Sequence, residues 1–320
     1  MAAWLSSRGT ELGATLLALS VAACSSAPVG TERQANTAAP AAAAAAEEPA
    51  ASDAGALPDV QASSDDAAVA SPDAGWPDCA SQPANVPTRT IAEIWEANAK
   101  TPEAAWLDGV FVTGVSRGGC VAGQACHFYV QAEQSFASLA DGAHKAIKVF
   151  VSAKTAQHFA GVSVGDSVNV MGWGLRYTAG GQNELLVQVS SALPGCFQKV
   201  GTGVVTPIPV ALGDLTLDNY ETYGPLVVKA TKLSGKASAA ADETFGLYPT
   251  SFSGTFPDGG TDIVSLSPFF LPGGAFSADV VSASKVNAFE SITGVFGVFS
   301  PSPAKTYLEL CPRAPSDLVK

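Results

Sequence analysis

Residues 114–118 read GVSRG, which matches the G-x-S-x-G pattern of a nucleophile elbow. In that motif a strand, a sharp turn and a helix hold the serine up to a general base, so Ser116 would be the nucleophile of a serine hydrolase. The next residues, GCVAG, do not read as a helix, and no histidine follows residue 158 to supply a late base. A hairpin turn after a strand at 110–115 is therefore preferred, and hydrolysis at Ser116 is kept as an alternative.

Two sets of residues could hold a metal ion. Cys120, Cys126 and His127 offer zinc ligands, but the partner cluster of Cys or His at finger spacing is missing. The loop DGGTD at 258–262, with Asp279 as a distant third carboxylate, could bind calcium, but it lacks the spaced ligands and bidentate glutamate of an EF-hand. We prefer a Cys120–Cys126 disulfide and a solvated turn, and we predict no catalytic residue, no metal and no cofactor.

Aromatic and basic side chains could form a surface on which bases or sugars stack. The candidate binding residues are Tyr129, Arg176 and Tyr177, of which the last two lie beside the glycine-rich segment AGGQN and are expected to be exposed. Trp106 and Trp173 could join this surface, but we favour an interpretation in which they fill barrel interiors.

The first residues carry an export signal. Arg8 stands before an apolar run at 12–23, LGATLLALSVAA, which is followed by Cys24. This order is typical of a secretory signal, and the run is shorter than the roughly 20 residues that span a bilayer. No later stretch is long and apolar enough, so we predict no transmembrane helix in the mature chain.

Residues 21–24, VAAC, resemble the lipobox of bacterial lipoproteins, in which a peptidase cuts before the cysteine and the thiol carries a diacylglyceryl group. The resemblance implies a signal peptide at 1–23 and a lipid anchor on Cys24, with palmitate among its acyl chains. Serines at 25 and 26, where some lipoproteins have Asp, imply the outer membrane of a Gram-negative bacterium. An ordinary signal peptide with a chance cysteine is the alternative.

Residues 24–86 differ in composition from the rest of the chain. They are rich in Ala, Pro, Asp, Ser and Glu, and they contain nine acidic residues against Arg33 alone. Such a segment cannot bury enough apolar surface to offset its ordering entropy, so we predict a disordered tether. The total net charge is −12, which leaves the remainder mildly acidic. Binding to phosphates requires clustered positive charge, so nucleic acid is disfavoured, though not excluded, as a partner.

With Cys24 assigned to the anchor, five of the six cysteines remain. Export permits disulfides. Beyond the Cys120–Cys126 pair, the arithmetic allows one more bridge and one free thiol among Cys79, Cys196 and Cys311, and the spacing does not choose between them.

Residues 87–320 contain nine short runs bounded by Gly, Pro and Asp clusters. We predict strands at 110–115, 127–131, 147–151, 167–172, 184–189, 226–233, 245–249, 291–299 and 307–310, and helices at 90–100 and 153–159. The halves echo each other, since MGWGLRY at 171–177 matches TGVFGVF at 293–299, and DGVFV at 108–112 matches YGPLVV at 223–228. We therefore expect two copies of one module.

Four segments of the first half resemble the OB-fold modules of secreted bacterial proteins: IAEI at 91–94, DGVFVTGV at 108–115, FYVQ at 128–131 and VGDSVNVMG at 164–172. The second half is similar to the partner module often found after them. The resemblance implies an all-β fold of two tandem OB-fold-like small β-barrels after a disordered linker, the first over 87–200 and the second over 201–320.

The segment VGDSVNVMG supports this fold independently of the resemblance. Its alternation places Val168 and Val170 on one strand face and Ser167 and Asn169 on the other. Gly172 would let a coiled strand bend round a barrel corner.

Secreted nucleases with such OB modules also carry a separate catalytic domain with clustered Asp, Asn, His and Glu for metal-assisted cleavage, whereas the second half of this chain has no histidine. We therefore expect a non-enzymatic, membrane-anchored surface lipoprotein of the cell envelope, a binding or adhesion module whose partner is an envelope protein or a glycan. The alternative is a nucleic-acid-binding accessory of an extracellular nuclease system.

Overall fold

The computed structural model describes residues 76–77, 79–178, 184–234, 248–249, 264–267, 269–271, 288–302 and 305–319. In the first half these form α1 (Ile91–Ala97), β1 (Glu103–Val115), β2 (Cys126–Gln131), β3 (Ala146–Val151), β4 (Asp166–Tyr177), β5 (Glu184–Val189) and β6 (Cys196–Thr202). In the second half they form β7 (Ile208–Val210), α2 (Leu217–Tyr223), β8 (Val227–Ser234), β9 (Tyr248–Pro249), β10 (Val264–Leu266), β11 (Ala288–Ser302), β12 (Lys305–Cys311) and β13 (Leu318–Val319). Cys24, the tether up to residue 75, the loop 258–262 and Asp279 lie outside the described residues.

The first half closes into a barrel because β4 pairs on both of its edges. Antiparallel pairing joins β1 to β2, β2 to β3, β5 to β4 and β4 back to β1, and parallel pairing joins β3 to β5. The circuit β1-β2-β3-β5-β4-β1 is the five-stranded Greek-key order of an OB-fold. The predicted all-β, OB-like fold is confirmed.

Strand β4 shows the predicted alternation. Val168 and Val170 are fully buried in the barrel core, while Ser167 and Asn169 bond the two backbone groups of Gly109, whose φ is +63°. Gly172 faces β5, where a Cβ atom would lie 2.4 Å from Cγ1 of Val187. The glycine therefore allows β5 to approach β4 closely at this position.

Helix α1 covers one side of this core. Thr90 and Glu93 form a reciprocal capping box, and Ile91, Ile94 and Trp95 are buried. The helix ends at Asn98, earlier than predicted, because Asn98 adopts a left-handed conformation. The second predicted helix is a short 3-10 turn, Ala156–Phe159. No helix among the described residues is long and apolar enough to cross a membrane.

The second half repeats the same order of strands. β8 pairs with β11, β11 with β12, β12 in parallel with β10, and β10 with β9. The strands β8, β11, β12, β10 and β9 therefore correspond, in that order, to β1, β4, β5, β3 and β2. Residues 235–247, between β8 and β9, lie outside the described part of the chain. The expectation of two copies of one module is confirmed in the order of the strands, and the second half is OB-fold-like in that order.

The repeat also extends beyond the barrel strands, to elements of which the sequence pattern predicted only the helix at 90–100. β6 pairs with β4 as β13 pairs with β11. A helix precedes the first strand of each copy. In the second copy β7 runs parallel to β8, and in the first copy the equivalent contact is a single parallel bridge between Thr88 and Trp106. Each module therefore carries a leading helix and a closing strand.

The two modules meet through an apolar contact on the outer face of the first barrel, called here the module interface. Its apolar residues are Phe111, Tyr129, Val205, Val227, Phe269, Phe270, Val295 and Cys311. Gly114 gives the ring of Phe270 room, because a Cβ atom there would lie 2.7 Å from Cζ of that ring. The modules are therefore packed against each other as parts of one body.

Two disulfides, Cys120–Cys126 and Cys79–Cys196, are present, and Cys311 is a buried free thiol. The predicted Cys120–Cys126 disulfide is confirmed, and so is the prediction of one more disulfide and one free thiol among the other three cysteines. Cys79, Val86 and Cys196 bury Trp106 against the outside of the barrel. The folded part therefore begins before Pro87, where the sequence placed the end of the tether.

Candidate functional site

Tyr129 lies in the module interface. Its side chain is 8% exposed, and its ring meets that of Phe270 edge-on with the centroids 5.4 Å apart. Burial, followed by the charge of Glu184, raises the pKa of Tyr129 well above its ordinary value. OB-folds bind oligonucleotides and oligosaccharides on the face of their second and third strands, which here are β2, with Tyr129, and β3. In this chain the second module covers Tyr129, which is therefore not part of an exposed stacking surface.

Arg176 and Tyr177 do not form the exposed pair expected from the sequence. The guanidinium of Arg176 makes a bidentate ion pair with Glu221 of α2, with N–O distances of 3.1 and 2.8 Å, and it also bonds Asn98. Tyr177 is only 5% exposed. It packs with Phe150, Leu175 and Leu186. The expectation of exposure is wrong for Tyr177 because this outer face of the barrel is apolar and buried.

The two tryptophans lie outside the barrel core. Trp106 is buried beneath the Cys79–Cys196 disulfide, and Trp173 is half-buried, with its indole N–H donating to the carbonyl of Pro194 at 2.9 Å. The interpretation that they fill barrel interiors is wrong. The core positions of β1 and β4 are taken by smaller aliphatic residues.

A buried polar network crosses between the modules. Lys148 of β3 and Glu184 of β5 form an ion pair with an N–O distance of 2.8 Å, and both side chains are about nine-tenths buried. The hydroxyl of Tyr220, from α2 of the second module, donates to the other oxygen of Glu184 at 2.9 Å. Burial raises the pKa of Tyr220 well above its ordinary value, and Glu184 adds to this. Both charges of the ion pair are therefore satisfied inside the protein.

Glu309 of β12 is a second buried carboxyl group in this region. Burial raises its pKa to about 7, while Ser267, Lys148 and Cys311 act in the opposite direction. The thiol of Cys311 lies 3.7 Å from Oε2 of Glu309. Burial raises the pKa of Cys311 well above its ordinary value, which keeps the thiol protonated and inert.

His127 also faces the second module. Its ring lies edge-on to Phe150 and Phe269, at centroid distances of 5.2 and 5.4 Å. Burial, followed by the charge of Lys148, lowers the pKa of His127 well below its ordinary value. Its Nδ1 atom has no hydrogen-bond partner among the described residues. The imidazole is therefore a neutral ring in an aromatic cage.

Ser116 stands in a hairpin, as the preferred interpretation predicted. Its hydroxyl accepts a hydrogen bond from the backbone N–H of His127 at 3.0 Å, and β2 follows where a nucleophile elbow has a helix. The Cys120–Cys126 disulfide closes this loop and removes both thiolates from zinc binding. No group of three potential metal ligands occurs among the described residues.

A groove runs along the junction of the two modules. Its volume is about 390 Å³, and it is lined by Val164, Gly165, Gly203, Val204, Val205, Arg313, Ala314, Ser316 and Asp317. Val204 is 83% exposed and Val164 is 48% exposed. The guanidinium of Arg313 is paired with Asp317, its Nε lying 3.3 Å from Oδ2. The groove thus offers an apolar rim beside an ion pair that is already neutralised.

The sequence pattern contained a signal for the buried network. All six positions of β3 (AIKVFV) and of β5 (ELLVQV) are buried. A strand with one solvated face alternates, whereas a strand buried on both faces reads as a nearly continuous apolar run. That signal places Lys148 and Glu184 inside the protein. The groove left no such signal, because three separate turns supply its residues.

Comparisons with known proteins find no family and only distant structural similarity. The chain matches no protein-family model and no curated protein. It is similar to a chain from the structure of a Replication Protein A heterotrimer bound to ssDNA, with 11% identity and a TM-score of 0.26, covering 66% of this chain and 47% of that one. It is also similar to the tetrameric p202 HIN2, with 13% identity and a TM-score of 0.25, covering 66% of this chain and 88% of that one.

Proposed function

We propose that this chain is a lipid-anchored, non-enzymatic protein of the bacterial cell envelope, whose two modules act as one body that binds another envelope protein. The binding site in this proposal is the groove between the modules. A single observation carries the proposal: both modules build the groove, and its rim includes Val204, which is 83% exposed.

The exposed valines favour a protein partner. Val164 and Val204 expose apolar side chains beside polar groups of the groove, a combination that occurs at protein interaction sites. Stacking of bases or sugars requires exposed aromatic rings, and the groove has none among its lining residues. Its one guanidinium, that of Arg313, is already paired with Asp317. An extended apolar segment of a protein therefore fits the groove better than a phosphate backbone does.

Val204→Glu should remove binding without disturbing the fold. Val204 is mostly exposed, so the change costs little stability, but a carboxylate in a covered apolar contact would have to be desolvated. We expect the loss of partner capture from solubilised envelope to be at least about tenfold, equivalent to about 1.4 kcal/mol. The bait is the mature chain with Cys24→Ser, and bound proteins are quantified by mass spectrometry.

Val121→Glu is the matched control for this experiment. Val121 is 43% exposed in the Cys120–Cys126 loop and does not line the groove. Support requires a partner that the parent and the Val121→Glu variant capture equally and the Val204→Glu variant loses. Equal capture by all three chains would reject the groove. Capture of single-stranded DNA that fades with salt would instead favour the nucleic-acid accessory.

The anchor makes a separate prediction. Cells fed an alkynyl fatty acid should incorporate it into the wild-type chain, and Cys24→Ala should abolish the label because the acylated thiol is gone. Cys311→Ala, which removes the buried free thiol, should keep the label. Measurement is by in-gel fluorescence after click coupling, and a labelled Cys24→Ala chain would contradict the anchor.

A further inference from the structure

Glu309 faces the first module from the outer side of the second. It lies on β12, where it pairs with Gly297 of β11, and its carboxyl group is surrounded by groups from both modules. Gly297 has no side chain, and a Cβ atom there would lie 3.6 Å from Oε2 of Glu309, so this position of β11 adds no charge beside the carboxyl group.

The titratable and charged groups around Glu309 come from several elements. They are Cys311 on its own strand, Lys148 of β3, Glu184 of β5 and Tyr129 of β2, with the hydroxyl of Ser267 after β10. Lys148 is the only cation in this set, and it already contacts Glu184 at 2.8 Å. An ionised Glu309 would therefore place a second buried carboxylate beside a single ammonium group.

We propose that the module interface is a pH-dependent joint, which protonated Glu309 holds closed and ionised Glu309 loosens. Burying an ionised carboxylate without a partner of its own is costly, and opening of the interface returns that group to water. The joint is a property of the two modules alone, so it holds or fails independently of any ligand in the groove.

The pH window follows from the direction of the shift. The pKa of Glu309 is about 7 in the folded chain against an ordinary value of 4.5, so the closed interface binds the proton more tightly than the open one. The stabilisation is complete below pH 4.5, is lost as the pH rises towards 7, and does not change further above that.

Cys311 supplies a built-in reporter of the joint. Its buried thiol lies beside Glu309, so alkylation requires the interface to open. In the mature chain with Cys24→Ser, the rate of iodoacetamide labelling is measured from pH 5 to pH 8 with and without Glu309→Gln. The rate for the parent divided by the rate for Glu309→Gln cancels the intrinsic pH dependence of the thiol. We expect this ratio to rise at least about tenfold over that range, since each unit of pKa shift corresponds to tenfold.

Glu290→Gln is the matched control, because Glu290 is an exposed carboxylate on the neighbouring strand β11. It should label like the parent at every pH. If Glu309→Gln fails to fold, hydrogen exchange of the parent tests the same point: protection of β12 amides should fall from pH 5 to pH 8 after correction for intrinsic exchange, while that of β4 amides stays constant. A flat labelling ratio, or unchanged β12 protection, would overturn the joint.

Discussion

Lys148→Met is expected to lower the free energy of unfolding by about 3–5 kcal/mol, because it leaves the carboxylate of Glu184 buried without its cation. The methionine side chain fills nearly the same volume, so the loss reports the charge and not a cavity. Both members of the pair are about nine-tenths buried, and among the described residues the hydroxyl of Tyr220 is the side-chain donor to Glu184 that would remain. Urea unfolding followed by tryptophan fluorescence measures the change.

Adding Glu184→Gln to Lys148→Met tests whether the loss of stability comes from the unpaired charge of Glu184. In Lys148→Met/Glu184→Gln the amide oxygen can still accept from Tyr220 and neither position of the pair carries a charge, so at pH 5, where Glu309 is protonated, stability should return to within about 1 kcal/mol of the wild type. Arg89→Met is the control, since its ion pair with Glu103 is largely exposed and such pairs contribute about 0–1 kcal/mol. A Lys148→Met loss no greater than the Arg89→Met loss would show that the buried network stabilises nothing.

The parts of the fold that were predictable from the sequence are those that local chemistry determines. The alternation of Val168 and Val170 with polar neighbours fixes a half-buried strand, and Thr90 with Glu93 fixes the start of a helix. The glycine-bearing echo between the halves predicts two copies of one module. The strand and helix signals each lie within a few residues, so tertiary context does not override them.

The elements that escaped prediction depend on partners distant in sequence. β6 reads CFQKVGT, which neither alternates nor forms an apolar run, and it is a strand because β4 presents a free edge to it. Helix α2 buries only Tyr220 among its seven residues, so its sequence has no apolar stripe. Both elements form because the rest of the module supplies a surface for them.

The exposed stacking surface expected at Tyr129 and Tyr177 is absent for a related reason. Tyr129 is aromatic and lies on the strand face that OB-folds commonly use, so the sequence alone suggests a stacking surface. Whether that face is free depends on the second module, whose Phe270 reaches it across about 140 positions of the chain. Tandem packing therefore moves the available surface from the face of one barrel to the groove between the two.

Removal of the Cys79–Cys196 disulfide is expected to be the most destabilising change outside the ion pair. Its cysteines are 117 positions apart, and in the chain-entropy treatment a loop of that size corresponds to about 5 kcal/mol of stabilisation. The Cys120–Cys126 disulfide spans 6 positions, and the same treatment gives about 2 kcal/mol. The comparison is therefore between Cys79→Ala/Cys196→Ala and Cys120→Ala/Cys126→Ala in urea titrations.

The Cys79–Cys196 disulfide also determines which residues a stable fragment of the chain must contain. Cys79 and Val86 cover Trp106, so a chain cut at the composition boundary before Pro87 exposes that indole and leaves Cys196 unpaired. Such a fragment should be at least as unstable as Cys79→Ala/Cys196→Ala. Equal stability of the two disulfide variants, or a fragment as stable as the whole chain, would mean that residues 79–86 lie on the barrel without stabilising it. The expected result makes this segment part of the first module.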